Sequence, residues 1–171
     1  GAGTALAAAL QVHANDAEVL RAACPALSSL AVYEPVRGLL VQSDGIGGAL
    51  VAALRSDAAD LTVAQTACAA LQNLAIAADH VQALQRDGCG AAVIAARQRF
   101  DNDAEVAAAA CGTLQHLAFV EAHRCDLVRD GADTAVLAAL ERHAGNANVS
   151  RYGCGVLTNL CSLQASREVL V

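Results

Sequence analysis

The sequence repeats itself every 43 or 44 residues. Cys24, Cys68, Cys111 and Cys154 mark one column, and Leu27, Leu71, Leu114 and Leu157 a second. Val19, Val63, Val106 and Val149 form a third, and Asp44-Gly45, Asp87-Gly88 and Asp130-Gly131 a fourth. Four independent columns in one register are not coincidence. A fixed period of about 20–50 residues is the mark of a solenoid, propeller or array. Each unit of such a chain buries its apolar face mainly against its neighbours, so the core runs along the array.

Within each unit the pattern is helical. Asp16, Asp60, Asp103 and Asn146 stand in one column ahead of an apolar stretch. Their side chains suit the free amides of a first helical turn. From Val63, the apolar positions Ala67, Ala70, Leu71 and Leu74 follow at i+4, i+7, i+8 and i+11, one face of a long helix. A short segment such as Asp79 to Arg86 comes next and is closed by the Asp-Gly pair, whose glycine supplies turn or left-handed geometry. A medium helix then runs from Gly48 to Arg55, Ala91 to Arg99 and Thr134 to Arg142. One of its columns breaks, because Leu54 and Leu140 bracket Arg97. Either the third unit packs differently there, or that stem points outward.

Composition agrees with helices. The chain holds 42 alanines and only 2% aromatic residues, which is poor material for a sandwich or barrel. Hydrophobic residues make up 56%, against 16% charged, so disorder is excluded. Small alanines at Ala53, Ala96 and Ala139, and at Ala26 and Ala70, let neighbouring helices approach closely. The net charge is -6 and all 11 basic residues are arginine, which disfavours nucleic acid as a partner. No apolar run nears the roughly 20 residues a membrane span needs, and no signal-peptide pattern is present. Seven cysteines without tight spacing fit a reducing compartment, so an intracellular, cytoplasmic or nuclear setting is expected.

Leu6 and Leu10 match Leu50 and Leu54 with a shift of 44. The expected organisation is therefore a single array over 1–171: a partial unit 1–45, units 46–88 and 89–131, and a unit 132–171 cut short. Polar terminal caps are not visible, so the chain is expected to be a piece of a longer array or to have covered ends.

A short helix, an Asp-Gly turn, a medium helix and a long helix ending Leu71-Gln-Asn-Leu-Ala, Leu114-Gln-His-Leu-Ala or Leu157-Thr-Asn-Leu-Cys together resemble the armadillo repeat. Arg37, Arg124 and Arg167 fit the polar start of that family's short first helix. HEAT repeats are the nearest alternative, but they lack the glycine break and usually show two helices per unit. The resemblance implies an all-α fold, a right-handed α-solenoid of stacked three-helix repeats whose third helices line a concave groove. In peptide-binding members, the Asn of Leu-x-Asn-Leu holds the backbone of an extended ligand. An amide offers a donor and an acceptor together, so it can pair with a peptide unit whatever the ligand's side chain.

Here that ladder column reads Ser29, Asn73, His116 and Asn159. Arg21, Gln65, Arg151 and Tyr152 lie about two turns earlier on the same helices. Glu18, Thr62, Glu105 and Asn148 precede them by one further turn. Trp, Tyr and Arg are the usual hot-spot residues, so the end holding Arg151, Tyr152 and Asn159 is expected to be the stickier half. Import receptors of the family carry Trp four residues before the Asn. Pro25, Ala69, Gly112 and Gly155 occupy that column here, which argues against cages for lysine stems.

The remaining candidates read as structure. Cys24, Cys68, Cys111, Cys154 and Cys161 read as small apolar packing residues, while Cys89, between two glycines, and Cys125 are the expected exposed thiols. Cys111, His116, His123 and Cys125 have no zinc-ligand spacing, so no metal site is expected. Gly45-Ile-Gly-Gly48 lacks the Lys-Ser/Thr of a phosphate loop. No nucleophile, base and orienter converge, so neither an enzymatic activity nor a cofactor is expected. The leading expectation is a protein-interaction scaffold that takes a protein or an extended peptide segment in its groove. The second is a structural module packed against further repeats or other subunits, for instance in a cytoskeletal or axonemal assembly.

Overall fold

The computed structural model describes residues 2–41 and 45–162, and these hold eleven helices and no strand. Asp44, Arg167 and Val171 lie outside the described residues. In chain order the helices are α1 (Ala2–Val12), α2 (Ala17–Val32), α3 (Glu34–Val41), α4 (Ile46–Arg55), α5 (Leu61–Ala75) and α6 (Ala78–Arg86). They continue as α7 (Cys89–Arg99), α8 (Ala104–Phe119), α9 (Glu121–Arg129), α10 (Ala132–Arg142) and α11 (Ala147–Cys161).

The long helices start where the sequence predicts. Asp16 accepts from the amides of Glu18 and Val19, Asp60 from Val63, Asp103 from Val106, and Asn146 from Asn148 and Val149. Each cap is worth about 1 kcal/mol. Gly45, Gly88 and Gly131 have φ of 83°, 78° and 84°, a region where a side chain would be strained. The chain turns there and enters the medium helix at once. That is why α4, α7 and α10 begin two residues earlier than the apolar pattern alone suggests. Pro25 lies inside α2, which runs through it.

The long helices α2, α5, α8 and α11 pack one on the next, and the medium helices α1, α4, α7 and α10 form a parallel row behind them. Between the rows lies one continuous core. Leu27, Leu71 and Leu114 are buried, as are Val63, Val106 and Val149, and Cys24, Cys68 and Cys111. Side-chain bonds also tie unit to unit at the loops that lead into the long helices. Ser56 Oγ donates to Asn15 Oδ1 at 3.1 Å, Arg99 Nη1 donates to the Ser56 carbonyl at 3.2 Å, and Arg142 Nη1 donates to Asn102 Oδ1 at 2.6 Å. The result is an all-α solenoid.

Two cysteine expectations are overturned. Cys89 is fully buried, because it is the first residue of α7 and faces the core instead of sitting in a loop. Cys154 is exposed, since no further long helix covers it among the described residues, as α5 and α8 help to cover its equivalents. Cys125 is exposed as expected, and Cys161 is half-buried. Arg97 does not point outward: it is buried.

Candidate functional site

The four ladder positions fall on equivalent turns of the four stacked long helices. Ser29 is exposed, and Asn73, His116 and Asn159 are half-buried. Asn159 Nδ2 donates to the Gln115 carbonyl at 3.2 Å, so one of its donors already bridges to the preceding unit. Burial holds the His116 imidazole below its ordinary pKa, which leaves it neutral at pH 7.

The column two turns earlier has a different task. Arg21 Nε pairs with Asp60 Oδ2 at 2.5 Å, and Gln65 Nε2 donates to Asp103 Oδ2 at 3.1 Å. Asp60 and Asp103 are the N-caps of the next long helix. In each, one carboxylate oxygen caps its own helix and the other accepts from the preceding unit. The Val63 amide and then the Arg21 side chain hold the Asp60 carboxyl below its ordinary pKa. At the third junction Ala108 occupies the donor column, and the cap is the amide Asn146, bonded to Asn148 N and Val149 N. At the three junctions between long helices, a carboxylate stands at the two where a donor reaches it and an amide at the one where none does. Arg151 is exposed and stacks over the Tyr152 ring at 4.3 Å. Arg21 and Gln65 therefore latch neighbouring units together, while Arg151 and Tyr152 stand as an aromatic–cation pair on the last long helix.

The structure also accounts for the glycines in the Trp column. A Cβ on Gly112 would collide with the side-chain amide of Gln72, and one on Gly155 with that of Gln115. In the same columns one unit earlier stand Ser28 and Ala69, a shorter side chain and a larger neighbour. The residue preceding the ladder position thus fills the space that an aromatic ring would take.

One feature of this face escapes the sequence reading. Val32, Ile76 and Phe119 recur in the repeat register, 44 and 43 residues apart, at 65%, 49% and 77% exposure. They stand three residues past Ser29, Asn73 and His116, hence on the same side of each helix end. Ile76, His116 and Phe119, with Ala75, Ala78, Val81 and Val120, line a pocket of about 260 Å³. The signal lay in the spacing of these three side chains, but a search for Trp upstream of the ladder passes over them. Glu34, Asp79 and Glu121 sit in the first turn of the short helices beside them, all exposed.

Among the described residues no three potential metal ligands come together, and no helix is long and apolar enough to cross a membrane.

A family model described as LRRK2 ARM repeat matches residues 4–149. No curated protein matches the chain. Among solved structures, the chain is similar to an engineered protein from the Northeast Structural Genomics Consortium, with 21% identity and a TM-score of 0.77. That similarity covers 95% of this chain and 63% of the engineered one, so the chain spans less than two thirds of that protein's length.

Proposed function

Because the chain belongs to the LRRK2 ARM repeat family, we propose that it is a non-catalytic scaffold that binds a partner's extended segment along its long helices. One observation carries this reading: the ladder positions and an apolar column recur together, once per unit, on the same side of α2, α5 and α8. Ser29, Asn73, His116 and Asn159 offer polar groups to a peptide backbone. Val32, Ile76 and Phe119 offer apolar contact at the same intervals, and His116 and Phe119 share one pocket. Arg151 and Tyr152 extend that surface onto α11. In this reading the long helices line the concave side, and the units run 46–88, 89–131 and 132 onward, each opening after a left-handed glycine. Buried, unpaired thiols support a reducing intracellular setting.

The test is an array of immobilised extended peptides probed with the whole chain. Peptides retained by the wild type are expected to be lost with Asn73→Ala plus Asn159→Ala, and with Phe119→Ser. Unchanged retention by both variants, with folding intact by circular dichroism, would show that the partner binds elsewhere.

A further inference from the structure

The arginines near the ends of the medium helices are engaged, with one exception. Arg55 Nη2 donates to the Gly88 carbonyl at 3.3 Å, and Arg99 donates to the carbonyls of Ser56 and Asp57 at 3.2 and 3.5 Å. Arg142 pairs with Asp101 at 3.0 Å and donates to Asn102 Oδ1. Arg97, on α7, has no such partner. It is only 7% exposed, its Nε is enclosed, and among the described residues that Nε meets no acceptor and the side chain makes no ion pair. A guanidinium so enclosed, with only its ends open to solvent and no anion beside it, costs stability.

The repeat supplies its own control. The equivalent positions on α4 and α10 are Leu54 and Leu140, so the packing at this column is met elsewhere by an apolar side chain. An arginine here has a cost to stability that its neighbours avoid. Arg97 also lines a crevice of about 500 Å³ on the medium-helix side, with Asp101, Ala138, Glu141 and Arg142. Asp101 is already neutralised by Arg142. Glu141 is exposed and stands in no ion pair among the described residues.

We propose that this crevice is a carboxylate-binding site, in which Arg97 receives an acidic group presented by a protein docked on the medium-helix side. The guanidinium fork matches a planar carboxylate through two parallel hydrogen bonds, and that pairing keeps its strength where water is excluded. The rim acid Glu141, which stands in no ion pair among the described residues, repels a phosphate dianion more than a carboxylate monoanion. The crevice lies on the opposite row of helices from the ladder, so this site stands independently of the proposed groove.

The experiment follows the Nε–Hε resonance of Arg97 in the whole chain, alongside the melting temperature. The probes are acetate, N-acetylglycine as a chain-terminus mimic, N-acetylglutamate α-amide as a side-chain mimic, and inorganic phosphate. Each is compared with sodium chloride at equal ionic strength. The expected result is a saturable shift of the Arg97 signal and a rise in melting temperature with the peptide-like carboxylates. N-acetylglycine acting alone identifies a chain terminus as the source, and the glutamate amide a side chain. Arg97→Leu is expected to fold, to melt above the wild type without ligand, and to lose the ligand-dependent rise. The resonance reads the wild type directly, so the test holds even if that variant misfolds. Three results would overturn the proposal. The first is an equal gain from carboxylate and chloride, and the second is stronger binding of phosphate than of any carboxylate. The third is a ligand-free protein in which Glu141→Gln moves the Arg97 signal and lowers stability, because Glu141 would then already be the partner.

Discussion

Asp103 joins two jobs that can be separated by mutation. Its Oδ1 accepts from Val106 N at 2.8 Å and caps α8, while its Oδ2 accepts from Gln65 Nε2 at 3.1 Å and links α8 to α5. Losing the cap costs about 1 kcal/mol, within a range of roughly 0.5–2. The half-buried link adds up to about 1 kcal/mol, the usual net worth of a hydrogen bond. Asp103→Ala should therefore destabilise the chain by about 1–2 kcal/mol. Asn146→Ala removes a cap from α11 with no donor behind it and should cost only the first part, about 1 kcal/mol. Asp103→Asn keeps the cap oxygen, and the Gln65 amide can turn to accept from the new amide, so its cost should stay below about 0.5 kcal/mol. A double-mutant cycle with Gln65→Ala, read by urea unfolding, should give a coupling of about 0.5–1 kcal/mol. A coupling near zero, with Asp103→Ala no worse than Asn146→Ala, would refute the latch.

Other expectations follow from the same geometry. Cys125 and Cys154 should react promptly with a thiol reagent in the native state. Cys24, Cys68, Cys89 and Cys111 should react only on opening, since burial also pushes the Cys24 and Cys68 thiols up to about 12; prompt labelling of Cys89 would contradict its place in the core. Burial holds His80 and His116 below the ordinary 6.5, so the unfolded chain takes protons first and their contribution to stability is lost as pH falls through the folded values. Urea midpoints should therefore drop between about pH 7.5 and 5.5, and His116→Gln should flatten that drop; an unchanged slope would count against its burial. Pro25 cannot donate to the Arg21 carbonyl within α2, so Pro25→Ala should raise stability by about 1–3 kcal/mol in thermal melts, and a loss would show that the ring's packing matters more.

Much of the fold was legible because its determinants are local and repeated. Asp16, Asp60, Asp103 and Asn146 announce helix starts by chemistry alone, and Gly88 and Gly131 sit where only a residue without Cβ is unstrained. The ladder column was legible for the same reason, since helical spacing fixes which turn a side chain occupies. Where its tip ends is another matter. Arg21 and Gln65 stand where ligand-facing residues would, but their tips reach acceptors 39 and 38 residues along the chain. No periodicity within one helix announces that reach. Cys89 between two glycines looks like loop, yet Gly88 is the turn itself and Cys89 already belongs to α7. The break at Arg97 was visible as a departure from Leu54 and Leu140. Its burial without a partner depends on how α7 and α10 pack, which only the assembled rows reveal.

In the proposed mode of binding, partners engage the long-helix side through positions repeated once per unit. The most direct measurement is amide and side-chain shift mapping of the isotopically labelled chain with the strongest peptide from the array. Perturbations are expected in register at Ser29, Asn73, His116 and Asn159, with Val32, Ile76 and Phe119 moving alongside them. Perturbations confined to α4, α7 and α10, with the ladder positions silent, would contradict it.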